Sequence, residues 1–334
     1  MFLPSLDTAS VGRPVTKSKS LLRVSNLVKA YDVSRDGVRS QFNAVDGVSF
    51  CVGAGEIFGL VGESGCGKST LAKVVTSLLS PTSGRVTVGS KELGARSRTE
   101  RRELLRSIQL VFQNPFASLN PRISVGRQVA EPLTVHRVGN KNEREAAARA
   151  MFATVGLSDS LFDRYPHQLS GGQNQRVAIA RALILKPSII VCDEAVSALD
   201  VSVQAQIVNL FAELRTALGV SLLFISHDLA VTRYLSDRIA VMYMGRIVET
   251  ADCETLFENP HHPYSQALIE AVPDLSGWEQ RVTELVGAPP SVVNRPAGCV
   301  FYSRCPRRMD KCRKSAPALV SIGPNHSSAC YLDA

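Results

Sequence analysis

The chain has 334 residues, of which 45% are hydrophobic and 20% charged. That composition fits a globular protein, and the length fits about two domains of the usual ~150 residues. Lys plus Arg number 38 against 30 Asp plus Glu, so the formal charge of +8 suits an anionic ligand or a membrane surface. No apolar run approaches the roughly 20 residues of a membrane-spanning helix, so a soluble chain is expected, with any work at a membrane done through partners. Neither an aromatic-interleaved basic platform nor a recognition helix speaks for nucleic acid.

Residues 1–20 hold Ser, Thr, Pro, Lys and Arg without a continuous apolar stretch, which predicts a flexible tail rather than a secretory signal. Leu21 to Tyr31 alternates like a strand and ends on an aromatic side chain placed to stack on a flat ligand. A polar insertion, Ser34 to Asn43, leads to a second strand over Ala44–Phe50, closed by the Gly53-Ala54-Gly55 turn. The apolar run Ile57-Phe58-Gly59-Leu60 then enters Val61-Gly62-Glu63-Ser64-Gly65-Cys66-Gly67-Lys68-Ser69-Thr70. The spacing G-x-x-x-x-G-K-S between a strand and a helix is that of a phosphate-binding P-loop. Its glycines permit positive φ and close backbone approach, so that N–H groups can wrap a triphosphate. Lys68 then reaches the β- and γ-phosphates and Ser69 ligates Mg²⁺. Leu71, Val74, Val75, Leu78 and Leu79 fall at helical spacing, which puts the positive end of a helix against the anion.

Ser80 to Gly84 breaks the chain and Arg85 to Val88 resumes it as a strand. Arg96 to Ser107, dense in Arg and Glu, reads as a solvated helix face. Ile108 to Phe112 is a buried strand ending at Gln113, stopped by Asn114-Pro115. The loop Phe116 to Arg122 mixes turn formers with apolar side chains, as a docking surface or a packed loop would. Lys141 to Val155 reads as a helix stopped by Gly156. Leu169-Ser170-Gly171-Gly172-Gln173 opens a helix that runs to Leu185. Ser170 and Gln173 have the form of a capping box, and the two glycines leave backbone N–H groups uncovered, which makes a second anion site.

Ser188 to Cys192 is an apolar strand that delivers Asp193 and Glu194 at its carboxyl end, where ligands sit in open α/β sheets. Adjacent carboxylates there need a cation or a task, and Mg²⁺ for Asp193 with water activation for Glu194 supplies both. Asp200 caps a helix striped by Ile207, Leu210, Phe211, Leu214 and Leu218 and closed by Gly219. Val220 to Ser226 is a further buried strand, and His227 at its end is placed to contact a γ-phosphate.

In this order Tyr31, the P-loop, Gln113, Leu169 to Gln173, Ile189 to Glu194, Asp200 and His227 closely resemble the nucleotide-binding subunit of an ATP-binding cassette (ABC) transporter. Phe112 to Arg122, Val196 to Ser202 and Asn259 to Leu268 look like the dipeptide and oligopeptide importer branch. The resemblance implies an α/β P-loop NTPase core with a β-rich edge subdomain and a helical signature subdomain at about 114–186. Residues 21–255 form this cassette and 256–334 a small Cys-containing C-terminal extension.

The same resemblance implies an ATPase in which Tyr31, Gly62, Glu63, Ser64, Gly65, Cys66, Gly67, Lys68, Ser69 and Thr70 hold ATP. Ser69, Gln113 and Asp193 serve Mg²⁺, Glu194 polarises water and His227 holds the γ-phosphate. Ser170, Gly171, Gly172, Gln173 and Asp200 complete the site in a head-to-tail pair, whose second ATPase subunit is a different one in many importers of this branch. Two permease subunits and an extracytoplasmic peptide-binding protein are the further partners, with this chain peripheral on the cytoplasmic face of the membrane. Nickel or glutathione is the alternative cargo, and a non-transport cassette ATPase the more distant alternative. Two departures from the family pattern, Asn174 and Ala195, remove no ligand.

Eight cysteines divide into Cys51, Cys66, Cys192 and Cys253, scattered along the front, and Cys299, Cys305, Cys312 and Cys330, clustered at the end as C-x5-C-x6-C-x17-C. Four thiolates suit zinc or a four-iron cluster. Similarity to peptide-importer tails implies a [4Fe–4S] cluster, with zinc, or unligated or disulfide-forming thiols, as the alternatives.

Overall fold

The computed structural model describes residues 20–35, 38–94, 97–272 and 295–332. The expected N-terminal tail therefore lies, except for Ser20, outside the described residues, as does part of the C-terminal extension. Two strands, β1 (Ser20–Arg35) and β2 (Val38–Gly53), pair antiparallel along their whole length, from Ser20 against Gly53 to Arg35 against Val38. The polar insertion expected at Ser34 to Asn43 is thus the far end of a long hairpin. Its backbone hydrogen bonds close across the ribbon even where its side chains are polar.

β3 (Ile57–Val61) is wholly buried and leads through the glycine loop into α1 (Lys68–Val75). This helix is shorter than its apolar spacing predicts. Ser77 takes a left-handed φ of 62°, which ends the helical repeat, and Leu78 is exposed. β4 (Ser83–Val88) returns to pair with β1, and β5 (Lys91–Glu92) pairs with β4, giving an antiparallel sheet of order β2-β1-β4-β5.

α2 (Arg98–Ser107) starts in a Ser97–Glu100 capping box and buries only Leu104, as a solvated face should. β6 (Ile108–Val111) follows. The expected stop at Asn114-Pro115 starts a further turn instead. The Asn114 side chain accepts from the Ala117 N–H at 3.2 Å and caps the short α3 (Pro115–Ser118). α4 (Val125–Val135), α5 (Lys141–Thr154) and α6 (Gly171–Leu183) then pack as a helical layer.

β7 (Ile189–Asp193), α7 (Val201–Leu218), β8 (Ser221–Ser226), α8 (Leu229–Leu235) and β9 (Arg238–Tyr243) complete the parallel core. β10 (Arg246–Asp252) turns back antiparallel, followed by α9 (Cys253–Glu258) and α10 (Pro263–Glu270). Beyond the undescribed stretch come α11 (Asp310–Lys314), β11 (Val320–Gly323) and β12 (His326–Ser328). The main sheet has the order β11-β12-β10-β9-β3-β8-β7-β6. The C-terminal strands therefore extend the main sheet itself, with Glu249 of β10 opposite Ser328 of β12.

Three apolar cores follow from this layering. One lies between the main sheet and helices α4 to α7, with Phe152, Phe211 and Phe224 at 0–1% exposure. A second fills the space between the antiparallel sheet, α1 and the other face of β3, and a third joins β9 and β10 to α9, α10 and Phe301. Each fully buried Val, Leu or Phe contributes roughly 1.5–3 kcal/mol. The β3, β7 and β8 ends that carry the polar side chains are thereby anchored from both faces.

Candidate functional site

The loop after β3 is shaped by its glycines. Gly62, Gly65 and Gly67 have φ of 154°, 78° and 109°, values that side chains rarely allow. A Cβ on Gly62 would stand 2.1 Å from the Met242 carbonyl oxygen, and one on Gly67 2.1 Å from that of Ala44. Gly67 is the N-cap of α1 and no side chain caps that helix, so its first N–H groups face the loop. Lys68 is buried and donates from Nζ to the carbonyls of Gly62 (2.7 Å) and Glu63 (3.0 Å), with Cys66 Sγ at 3.8 Å. An anion cradle with a buried ammonium in it is what a polyphosphate requires.

Three strand ends converge on this loop. Ser69 Oγ donates to Asp193 Oδ1 at 2.9 Å, at the end of β7. Burial pushes the Asp193 carboxyl up, against the Ser69 hydrogen bond, and the neighbouring Glu194 charge pushes it further. A cation at this hydroxyl–carboxylate pair would relieve that, so the donor set fits Mg²⁺. Glu194 Oε1 lies 4.0 Å from Lys68 Nζ, while its Oε2 accepts from Gln113 Nε2 at 3.0 Å and lies 3.3 Å from His227 Nδ1. Glu194 also has a left-handed φ of 49°, held by its N–H bond to the Ile225 carbonyl at 3.0 Å. Such a conformation costs about 1–3 kcal/mol and aims the carboxylate out of the sheet end.

The sequence-predicted residues Lys68, Ser69, Gln113, Asp193, Glu194 and His227 are thus one connected group. Ser197 belongs to it and was not foreseen; its hydroxyl donates to the Glu194 carbonyl at 3.0 Å and accepts from Gln113 at 3.2 Å. Tyr31 stands on the hairpin, stacked on Phe42 with centroids 5.8 Å apart and Lys29 Nζ 5.4 Å from its ring centre. Phe42 is two residues before Ala44, whose carbonyl abuts Gly67, so the aromatic pair is carried on the ribbon that walls the loop. Ser64 and Gly65 are exposed and Thr70 is half-buried.

The signature stretch stands apart. Ser170 caps α6 in a full capping box with Gln173, as its spacing predicts. Among the described residues no hydrogen bond joins Ser170, Gly171, Gly172 or Gln173 to the P-loop. Asn174 is fully buried and donates to the carbonyls of Pro166 (2.9 Å), Leu169 (3.2 Å) and Ser170 (3.1 Å). This departure from the family pattern is therefore a structural pin of the turn. Asp200 occupies the N-cap of α7 but its side chain makes no capping bond, contrary to the sequence expectation. The helix start there is closed by its backbone carbonyl, which accepts from the Gln204 N–H at 2.8 Å, and the carboxylate is left exposed.

Cys299, Cys305, Cys312 and Cys330 all line one small cavity, shared with His262. Gly298 lets its walls meet, since a Cβ there would stand 2.2 Å from the Cys312 carbonyl oxygen, and the Cys299 N–H donates to that oxygen at 2.7 Å. Burial pushes the Cys299 thiol up to about 11, and its three neighbouring cysteines add to the rise. The cavity brings the four expected ligands together without closing them into a ligand set. Among the described residues no group of three or more His, Cys, Asp or Glu side chains is arranged to hold a metal ion.

Sequence reasoning also missed the polar seam between the tail and the loop. Arg304 grips Glu63 with both terminal nitrogens, at 2.7 and 2.9 Å, and Tyr264 Oη accepts the Glu63 N–H at 2.9 Å. Arg295 bonds Asp46 and the carbonyls of Asn43 and Met244. The only signal for Arg304 was its place beside Cys305.

A mixed sheet with a parallel core and a P-loop at its centre, paired carboxylates at a neighbouring strand end and a capped helix in a separate layer define a P-loop ATPase of the cassette type. The ABC transporter family profile matches residues 45–197, and the oligopeptide/dipeptide transporter C-terminal region matches residues 248–312. A relative from Sinorhizobium fredii, named a probable peptide ABC transporter ATP-binding protein, is 46% identical over 95% of this chain and 91% of its own length. The di/tripeptide transport ATP-binding protein of Pseudomonas aeruginosa is 43% identical over 90% of this chain and 94% of its own. The dimeric ATP-binding cassette MJ0796, solved in a post-hydrolysis state with ADP and Pi, superimposes with a TM-score of 0.62. It is 29% identical, covering 70% of this chain and 98% of that one. The chain belongs to the ABC transporter ATP-binding subunits, in the oligopeptide/dipeptide branch, and is an ATPase. Among the described residues no helix is long and apolar enough to cross a membrane.

Proposed function

We propose that this chain is the ATP-hydrolysing subunit that energises import of di- and oligopeptides through membrane permeases. The observation that carries the reading is the closed polar group around Glu194, built on a chain whose tail is of the oligopeptide/dipeptide transporter type. Residues 21–255 act as the cassette, with 114–186 as its signature subdomain and 256–334 as the extension.

In this reading the loop residues Gly62 to Thr70 hold the phosphates, Lys68 neutralises them and Tyr31 stacks on the adenine. Ser69, Gln113 and Asp193 would hold Mg²⁺, which supplies charge neutralisation at the β- and γ-phosphates. Glu194, aimed by its left-handed backbone and flanked by Gln113 and His227, orients a water and accepts its proton. The water oxygen bonds to the γ-phosphorus as the bond to ADP breaks, and His227 holds the phosphoryl oxygens. Ser170, Gly171, Gly172, Gln173 and Asp200 face the nucleotide of a second, different cassette. Because phosphoryl transfer depends on positioning, hydrolysis waits for that closure.

The partners are two permeases and an extracytoplasmic peptide-binding protein, with this chain peripheral on the cytoplasmic face. Phe116, 49% exposed beside the Gln113 turn, is the side chain offered to the permeases. Uptake of a labelled dipeptide and tripeptide by cells lacking this chain tests the cargo. Uptake should fall to background and return with the wild-type chain but not with Glu194→Gln, whereas unchanged peptide uptake would overturn the peptide assignment.

The shared cavity of Cys299, Cys305, Cys312 and Cys330 favours a second reading, a [4Fe–4S] cluster with zinc as the alternative occupant. Protein purified without oxygen should contain iron and sulfide that Cys305→Ser and Cys312→Ser both remove. Stoichiometric zinc without iron would reject the cluster.

A further inference from the structure

Glu63 is an odd neighbour for a triphosphate. It follows Gly62 directly, and its own carbonyl accepts from Lys68 Nζ at 3.0 Å, so its carboxylate belongs to the segment that must receive an anion. A free carboxylate there would repel the phosphates and compete for Lys68. The structure shows where that charge goes. Arg304, whose side chain is 5% exposed, takes both carboxylate oxygens in a two-pronged pair at 2.7 and 2.9 Å. Tyr264, fully buried on α10, accepts the Glu63 N–H at 2.9 Å and so fixes the backbone of the same residue. Tyr243 Oη lies 3.4 Å from Arg304, and the Tyr243 ring packs on Tyr264 with centroids 4.6 Å apart. The fork is thus preorganised by a buried aromatic cluster, which lowers the entropy of holding it.

We propose that Arg304, in the C-terminal extension, is a positioning residue of the nucleotide site that turns the Glu63 carboxylate away from the phosphates and neutralises it. The proposal rests on the P-loop reading above. It makes the extension part of the ATP site rather than an appendage, and it explains an acidic residue inside the loop. Cys305, which follows Arg304 in the chain, lines the thiol cavity.

The test is a charge cycle on the full chain, read as affinity for ATP and for AMP with thermal unfolding measured alongside. Arg304→Met should weaken ATP binding about tenfold, the effect of one unpaired charge near a surface. AMP, with fewer phosphate charges, should lose far less. Glu63→Gln on the Arg304→Met background should restore ATP affinity to within a few-fold of Glu63→Gln alone. A purely structural tie would lower ATP and AMP affinity together and would show as a matching loss in thermal unfolding. If Arg304→Met fails to fold, Arg304→Lys, with and without Glu63→Gln, carries the same comparison at smaller amplitude. Wild-type ATP affinity in the Arg304 variants, or a loss that Glu63→Gln leaves in place, overturns the proposal. Lys68→Ala separates the two readings: if it binds ATP like the wild type, the P-loop assignment itself fails. If it loses ATP while the Arg304 variants do not, only the present inference fails.

Discussion

Two helices of this protein begin in glycine-rich turns, and the turns are built for opposite ends. At α1 the glycines take positive φ, a Cβ on Gly62 or Gly67 would collide with a backbone carbonyl, no side chain caps the helix, and acids and bases from three strand ends surround the opening. At α6 the turn is satisfied from within: Ser170 and Gln173 bond each other's backbone and Asn174 pins the carbonyls behind. Gly172 is needed there for packing, because a Cβ would stand 2.5 Å from Val203 Cγ1 on α7. One turn is a reactive cradle; the other is a finished surface without chemistry of its own. The difference fits the proposal that the second turn meets a nucleotide held by another subunit.

Glu194→Gln breaks the cradle most severely. It keeps the shape and the Gln113 contact but removes the proposed base, so kcat should fall about 10²–10⁴-fold with ATP affinity retained. Single-turnover hydrolysis beside equilibrium binding checks this, and near-normal turnover would remove Glu194 from its role. Ser170→Arg should act on the other turn alone. ATP affinity of the isolated chain stays unchanged, while hydrolysis in the assembled transporter falls at least tenfold.

Gly172→Ala sharpens the packing side of the contrast. The added methyl meets Val203, and overpacking of this kind costs about 1–3 kcal/mol, visible as a lower urea midpoint. The smallest effect concerns the seam behind the cradle. Burial pushes the Asp46 carboxyl up, but hydrogen bonds from Arg246 and Asn43 and the charges of Arg295 and Arg246 outweigh it and leave the pKa lowered. Its contribution to stability is therefore present above the unfolded value of about 3.9 and lost as pH falls through the folded value. Urea midpoints should drop less steeply with acid in Asp46→Asn than in the wild type across that window.

What the sequence disclosed follows the same division. The cradle was legible because its chemistry is local: a loop of fixed spacing, a strand ending in two carboxylates, a capping box. Strand ends at Gln113, Asp193 and His227 were readable too, since apolar runs stop where polar residues must face a ligand. Long-range pairing was not readable. Nothing in Ser34 to Asn43 says that the hairpin continues through it, because the bonds that hold it are backbone bonds to a partner strand. Nor does Arg304 disclose that it reaches a residue 241 positions earlier. The C-terminal strands β11 and β12 are short and largely polar, so only the pairing of β12 with β10 and of β11 with β12 marks them as sheet.

The central claim is that this chain holds half of each catalytic site. Specific ATPase activity measured against the concentration of a second cassette, with ATP affinity followed in parallel, tests it most directly. The account predicts activity that rises with the second cassette and saturates while ATP affinity stays flat. Full activity that persists on dilution to the lone monomer would contradict it.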